Sequence, residues 1–217
     1  MEFKYILFDM DGVLADSRDS IIDTTKYTLA QYGRTPDPDV YQKIIGPPLF
    51  EIYTKIFGFD EKTAQEATAI YRKYYAEHAI DLLKPFPGVR EMLDRLNANG
   101  RKLMVCTARY EEAARLVLQK LGILDCFCFV GGLDGTGEGS RTKKSQVIEY
   151  IFRELDIINR DQAVMVGDRA DDILAAKEAG ISSIGVLYGF GSREELVAAG
   201  AGMLAETPAQ IGDLIIQ

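Results

Sequence analysis

The sequence predicts an α/β fold: a Rossmann-like, mostly parallel sheet with helices on both faces, plus an inserted all-helical domain. In the second half of the chain, short apolar runs alternate with amphipathic helical stretches. One further apolar run, Tyr5–Phe8, lies near the N-terminus and belongs with them. Between these two parts the pattern is helical only. The 217 residues, 47% hydrophobic and 27% charged, suffice for one such domain with an insertion.

The sheet is predicted from five apolar runs. Tyr5–Phe8 ends abruptly at Asp9, and Gly12 follows, as expected for a buried strand that opens into a turn. Four later strands are predicted at 102–106, 126–130, 162–166 and 183–187, and helices at 111–121, 143–155, 171–179 and 194–199, with one more ending at Asn99. Strand and helix in alternation indicate βαβ crossovers, and parallel sheets place ligands at the carboxyl ends of their strands.

The insertion is predicted from residues 16–83. Helical spacing is found at 20–33, 49–57 and 61–78, and the segments between them contain Pro36, Pro38, Pro47 and Pro48. We therefore expect a core domain of residues 1–15 and 84–217 and a cap domain of residues 16–83, which would act as a lid.

Composition excludes several classes of protein. The net charge of −8 should repel nucleic acid and anionic membranes, and no apolar stretch is long enough to span a bilayer. No secretion-type segment is visible, so we expect a cytoplasmic protein. We also expect a monomer or a homodimer. The three cysteines, Cys106, Cys126 and Cys128, are expected to be reduced and buried. The single histidine, His78, leaves no multi-histidine metal site.

The first candidate site is the pair Asp9 and Asp11 at the end of the first strand. Two carboxylates separated by one residue point to the same side of an extended chain, and Gly12 lets the chain turn away. Two adjacent anions are costly unless a cation bridges them or one is protonated. Both conditions serve phosphoryl transfer, although a turn with a helix-capping Asp is the alternative.

Three further candidates follow in order. Thr107 closes the second strand, where it could bind a phosphoryl oxygen or only cap a helix. Lys143 and Lys144 open a helix, where either could neutralise phosphate or lie on a solvated face. Asp168 and Asp172 follow the buried strand that ends in Gly167, and carboxylates there suit Mg²⁺.

The decapeptide FDMDGVLADS, residues 8–17, resembles the first motif of haloacid dehalogenase superfamily phosphatases. The other candidates match the remaining motifs of that family in order, and Lys144, followed by Val147 and Ile148, fits the third motif better than Lys143. The resemblance is to the phosphoglycolate phosphatase and nucleotidase subgroup with a helical cap, and it covers nearly the whole chain.

The resemblance implies roles for these residues. Asp9 would attack phosphorus to form an aspartyl phosphate, and Asp11 would serve as general acid and base. Thr107 and Lys144 would hold the phosphoryl oxygens. A dehalogenase of this superfamily lacks a carboxylate at the position of Asp11, so phosphate-ester chemistry is favoured.

The resemblance also implies a magnesium site. Mg²⁺ would be held by Asp9, the backbone carbonyl of Asp11 and Asp168, with Asp172 orienting a ligand or its water.

Substrate contacts are predicted on both domains. On the core, Thr107, Lys144 and the backbone N–H of Ala108, at a helix entrance, would bind phosphate. Relatives often carry Lys-Pro at the positions of Arg109 and Tyr110, so this segment departs from the family pattern. Arg109 could grip a substrate carboxylate or lie on the surface. On the cap, Gly46 and Pro47 resemble a substrate loop, although a turn without substrate contact is the alternative.

We therefore expect a Mg²⁺-dependent phosphomonoester hydrolase for a small phosphorylated metabolite, with phosphoglycolate as substrate. A 5'-nucleotidase or a pyrophosphatase is the nearest alternative. A phosphosugar mutase and an inactive phosphate-binding module are the others.

Overall fold

A computed structural model describes residues 2–45, 47, 49–134 and 140–216, apart from the side chain of Ile80. Its contacts divide the chain into two compact units: Met1–Asp16 with Pro85–Gln217, and Ser17–Lys84. These boundaries lie one residue from those expected from the sequence. That the second unit is a cap with the role of a lid stays a prediction.

The first unit contains a six-stranded sheet in the order β5-β4-β1-β6-β7-β8, with every adjacent pair parallel. A separate two-stranded sheet joins β2 and β3. The strands are β1 (Tyr5–Phe8), β2 (Ala15–Asp16), β3 (Lys84–Pro85), β4 (Lys102–Tyr110), β5 (Phe129–Leu133), β6 (Ala163–Gly167), β7 (Ser182–Val186) and β8 (Met203–Ala205). The predicted fold class, a mostly parallel Rossmann-like sheet, is confirmed.

The described α-helices alternate with these strands or lie in the second unit. They are α1 (Arg18–Ala30), α2 (Leu49–Glu51), α3 (Glu61–Glu77), α4 (Val89–Ala98), α5 (Glu111–Lys120), α6 (Lys144–Glu154), α7 (Ala170–Glu178), α8 (Arg193–Ala199) and α9 (Pro208–Ile216). Successive side chains of a strand point to opposite faces of the sheet. In β1, the side chains of Ile6, Leu7 and Phe8 are nevertheless all fully buried. Both faces of the central strand are therefore covered.

One side of the core is built by α6. Its residues Val147, Ile148 and Ile151 pack in one buried cluster with Leu7 of β1 and Met104 of β4. This packing fixes the position of the first residue of α6, Lys144, relative to the sheet. In the described part of the chain, no helix is both long and apolar enough to cross a membrane.

Between Arg18 and Leu82, the described secondary-structure elements of the second unit are all helical and are joined by turns and irregular segments. It contains α1, α2 continued by a π-helical segment, Ile52–Ile56, and α3, with 3₁₀ turns at Pro38–Ile44 and Ala79–Leu82. The buried face of α1 is rich in hydroxyl residues, and the hydroxyls of Thr24 and Thr28 donate to carbonyls one turn earlier. Because these hydroxyls bond within the helix, they can be buried without distant partners.

Several predictions of local structure were wrong in detail. β4 does not end at residue 106 but continues to Tyr110, because β5 pairs with it through Gly131 and again at Leu133, with an irregularity between. β5 begins at Phe129, later than predicted, after a 3₁₀ turn at Leu124–Cys126.

Cys128 precedes this edge strand and is exposed, contrary to expectation, whereas Cys106 and Cys126 are buried. β8 and α9 were not predicted.

We predict that Gly131→Ala destabilises the core. A Cβ at Gly131 would lie 2.8 Å from Cγ1 of Ile151 and 3.1 Å from Cγ1 of Val147, so α6 would have to move away from β5. Overpacking of this kind costs about 1–3 kcal/mol. Gly202→Ala is the control, because the nearest atom to its Cβ would be the Ser183 carbonyl oxygen at 3.4 Å. Urea unfolding should show a loss for the first variant only; equal free energies would contradict the packing.

Candidate active site

The predicted site residues of the first unit come from neighbouring strand ends. β1 lies between β4 and β6, with Phe8 level with Val105 and Val166. Asp9 follows β1, Thr107 lies near the end of β4, and Asp168 follows β6. Since parallel strands end at one edge of the sheet, these residues are brought together although they are far apart in sequence.

A buried cluster of carboxylates forms at this edge. Asp9, Asp168 and Asp172 are 6%, 0% and 0% exposed. One carboxylate oxygen from each lies within 4.8 Å of the other two. Such a group of anions is costly to bury without positive charge.

Lys144 supplies positive charge inside the cluster. Its Nζ lies 3.1 Å from Oδ2 of Asp9 and also contacts Oδ1 of Asp172. Lys143, the other candidate, is exposed, so of the two lysines it is Lys144 that lies among these carboxylates. Its role in binding phosphate stays a prediction. Three carboxylates face one ammonium, and a divalent cation would balance the two remaining negative charges.

The pKa values of Asp9, Asp168 and Lys144 reflect this excess of buried negative charge. Burial raises the pKa of Asp9 to about 7, with the carboxylates of Asp172 and Asp11 adding to the effect and Lys144 opposing it. Burial, followed by the charges of Asp172 and Asp9, raises the pKa of Asp168 well above its usual value. Burial alone would lower the pKa of Lys144, but the adjacent carboxylates raise it well above its ordinary range.

Asp168 has the environment of a metal ligand. The N–H of Phe190 donates to its Oδ2 at 2.7 Å, whereas its Oδ1 is buried and has no hydrogen-bond partner among the described residues. Gly12 and Gly189 approach so closely that a Cβ at either position would overlap the Asp168 side chain. An unpartnered oxygen, hard oxygen donors and surplus negative charge fit a bound Mg²⁺.

Asp172 has a different environment. Its Oδ1 accepts from Lys144, and its Oδ2 accepts from the N–H of Arg169 at 3.1 Å. Both oxygens are thus engaged by the protein, which favours the role of orienting Lys144 over that of a direct ligand. Its place in the metal set, like that of the Asp11 carbonyl, stays a prediction.

Asp11 and Arg109 form an ion pair that the sequence analysis did not foresee. Nε of Arg109 donates to Oδ2 of Asp11 at 2.6 Å, and Nη2 donates to Oδ1 at 2.7 Å. The Arg109 side chain is 17% exposed and the Asp11 side chain is 26% exposed. A signal was present: Asp11 lies two residues beyond Asp9, just after β1, and Arg109 lies two residues beyond Thr107 on the adjacent strand β4.

Thr107 and Ala108 lie within β4. Thr107 is buried, and its Oγ1 accepts from the N–H of Arg109 at 3.2 Å. Ala108 is exposed, and because α5 begins only at Glu111, the expectation that the Ala108 N–H lies at a helix entrance was wrong. Phosphate binding by either residue stays a prediction.

The cap residues give less information. Gly46 lies outside the described residues, and Pro47 lies in the second unit. A substrate contact for either of them stays a prediction.

A short loop after β7 was missed by sequence reasoning. The N–H of Phe190 holds Asp168, and a Cβ at Gly189 would also approach the Gly12 carbonyl oxygen at 2.5 Å. The hydroxyl of Tyr188 donates to the Val13 carbonyl at 3.0 Å. The Gly-Phe-Gly sequence at the carboxyl end of a predicted strand was the available signal.

These features coincide with a known family. The model of the haloacid dehalogenase-like hydrolases matches residues 6–186, and the chain belongs to this family. It is a phosphatase of that family, as the comparisons with individual proteins also support.

Two curated relatives and one solved structure illustrate the similarity. A 5'-nucleotidase of Pseudomonas aeruginosa is 34% identical over 91% of this chain and 89% of its own. A phosphoglycolate phosphatase of Rhodospirillum rubrum is 29% identical over 97% and 90%. A structure named as a predicted phosphatase from Clostridium acetobutylicum has a TM-score of 0.90 and 32% identity, covering 100% and 99%.

We predict that the metal-free protein loses stability as the pH rises from about 4 to about 7. The pKa of Asp9 is raised to about 7 in the folded protein, so the folded state binds a proton that the unfolded state releases near its ordinary pKa of 3.8. Added Mg²⁺ should therefore raise the melting temperature more at pH 8 than at pH 5.

Thermal unfolding in EDTA and in Mg²⁺ measures both effects, and Asp9→Asn is the control, because it should reduce the pH dependence to the part that comes from the raised pKa of Asp168. An identical Mg²⁺ effect at both pH values in the unmodified protein would contradict the analysis.

Proposed function

We propose that this phosphatase is a Mg²⁺-dependent phosphomonoester hydrolase that acts through an aspartyl phosphate on Asp9, with 2-phosphoglycolate as its substrate. The observation that carries the proposal is the buried contact of Asp9 with Lys144 beside the unpartnered oxygen of Asp168. The site combines a nucleophile, a fixed positive charge and ligands for a divalent cation.

The first half of the reaction forms the phosphoenzyme. A carboxylate oxygen of Asp9 attacks phosphorus in line, the bond from phosphorus to the ester oxygen breaks, and Asp11 gives a proton to the leaving alcohol. Lys144 keeps Asp9 in place and draws charge from the phosphoryl oxygens, while the Thr107 hydroxyl donates to one of them. Asp9, Asp168 and the Asp11 carbonyl would hold Mg²⁺, which would supply further positive charge to offset the negative charge of the phosphoryl oxygens.

The second half regenerates the enzyme. Water attacks phosphorus and transfers a proton to Asp11, the bond between phosphorus and the Asp9 oxygen breaks, and inorganic phosphate leaves. Asp11 thus gives a proton in the first half and receives one in the second. One carboxyl group can serve both halves of the reaction.

The choice of substrate has two candidates. The Pseudomonas relative favours a 5'-nucleotidase, since it is 34% identical over most of both chains. Phosphoglycolate is favoured by the Rhodospirillum relative and by a guanidinium, Arg109, that holds a carboxylate in the site. The contact of Lys144 with the proposed nucleophile, Asp9, supports an enzyme rather than a phosphate-binding module. Cytoplasmic location and the choice between monomer and homodimer stay predictions.

We predict that Asp9→Asn lowers kcat on any accepted phosphoester by about 10³-fold or more, because a nucleophile is removed. Asp171→Asn is the matched control, since Asp171 is an exposed carboxylate that lies next to Asp172. Steady-state assays in Mg²⁺ measure the loss.

Mass spectrometry after treatment with an acyl phosphate should show a phosphate adduct in the unmodified protein and in the control but not in Asp9→Asn. Full activity of Asp9→Asn would refute the mechanism.

We predict that 2-phosphoglycolate gives the highest kcat/KM in a panel that includes nucleoside monophosphates, sugar phosphates and pyrophosphate. The reason is its carboxylate, which suits the guanidinium of Arg109. Phosphate release is measured at equal substrate concentrations. A preference for a nucleoside monophosphate would replace the proposed substrate but leave the mechanism intact.

A further inference from the structure

The guanidinium of Arg109 is a preformed carboxylate-binding group beside the phosphate site. It holds Asp11 through two parallel hydrogen bonds, of 2.6 and 2.7 Å, which is the geometry that arginine forms with a planar carboxylate. Arg109 also donates its backbone N–H to Thr107. A carboxylate position therefore lies directly beside a predicted phosphoryl contact.

The backbone of Arg109 is held firmly by the neighbouring strand. A Cβ at Gly132 would lie 2.5 Å from the Arg109 carbonyl oxygen and 2.8 Å from the N atom of Glu111, so β5 packs against this segment without a side chain between. Arg141 in turn donates from Nε to the Gly132 carbonyl at 2.9 Å, and its Nη1 lies 3.0 Å from Asp134. The guanidinium thus projects from a braced backbone, which preorganises it for an anion.

The carboxylate that occupies this guanidinium has another task in the proposed reaction. Asp11 has to reach the leaving oxygen of the substrate, but both of its oxygens accept from Arg109, so Arg109 determines where they point. A second carboxylate of the same shape and charge can take over the two hydrogen bonds. Arg109, 17% exposed, then keeps an anionic partner, while the released Asp11 carboxylate takes up a proton from solvent and turns to the ester.

We propose that Arg109 selects phosphomonoesters that carry a carboxylate close to the ester oxygen, and that binding of this carboxylate releases Asp11. The proposal rests on the proposed function, because it requires Asp11 to act on the leaving group. Recognition of the substrate class would then depend on one residue of the core, Arg109. The ion pair of Arg109 with Asp11 would be the resting state of the enzyme.

The test compares two substrates that differ only in the carboxylate, 2-phosphoglycolate and ethyl phosphate. The unmodified protein should prefer 2-phosphoglycolate by about 100-fold or more in kcat/KM, because sites built around a polar group reject analogues that lack it. Arg109→Gln should remove most of that preference, because it should lower kcat/KM for 2-phosphoglycolate far more than for ethyl phosphate. Arg109→Lys should retain only part of it, since an ammonium lacks the paired donors.

Arg193→Gln is the matched control, because Arg193 is an exposed arginine paired with Glu206 in the same unit. A second readout uses the unmodified protein alone: acetate added to the ethyl phosphate reaction should raise kcat by occupying Arg109. The same addition should have no effect on Arg109→Gln. If that variant fails to fold, the acetate experiment on the unmodified protein decides.

The outcomes separate the two proposals. If neither substrate is hydrolysed and no other phosphoester is accepted, the proposed function fails and this inference fails with it. If both substrates are hydrolysed without preference, or if Arg109→Gln lowers both by the same factor, the selective role of Arg109 is refuted while the proposed function stands. Inhibition by acetate, or no effect, would refute the release of Asp11.

Discussion

Burial of three carboxylates around one lysine is the constraint on which the rest of this structure depends. Asp9, Asp168 and Asp172 are almost inaccessible to solvent, and Lys144 is the ammonium among them. Removing that much negative charge from water is unfavourable, as the raised pKa of Asp9 shows. In the proposed function, a cation and a phosphate ester would complete the cluster and compensate for this cost.

The fold makes this cluster rigid. The parallel sheet places Asp9 and Asp168 at adjacent strand ends, and the buried face of α6 fixes Lys144 beside Asp9 and Asp172. Around Asp168 the backbone approaches at Gly12 and Gly189, where a Cβ would overlap its side chain. These close approaches prevent the carboxylates from moving apart to relieve their repulsion, so the electrostatic demand for a cation persists.

The ion pair of Asp11 with Arg109 lies at the same edge of the sheet as this cluster. It contributes one more carboxylate and one more cation, but at the rim, where both side chains are partly exposed. In the proposed function, the inner cluster would act on the phosphoryl group, and the outer pair would recognise the carboxylate of the substrate. Chemistry shared by the family and specificity for one substrate can therefore reside in separate ion pairs a few residues apart.

Much of this molecule could be predicted from residue order. Apolar runs of strand length that end in Asp9, Thr107 and Asp168 predicted the parallel sheet and its functional edge, because these patterns are local. The preference for Lys144 over Lys143 came from spacing, and the structure places Lys144 beside Asp9. β8, only three residues long, and α9 were missed because their stability comes from tertiary contacts: β8 pairs with β7, and α9 packs mainly against α4.

The sequence by itself determined which groups are available: the carboxylates, the lysine, the hydroxyl and the glycines that let the backbone turn, each at a fixed distance along the chain. Only the tertiary structure decided which of them meet. The extension of β4 to Tyr110, the exposure of Cys128 and the pairing of Arg109 with Asp11 all depend on contacts between segments far apart in sequence. Such contacts are set by strand pairing and burial, which a local pattern does not specify.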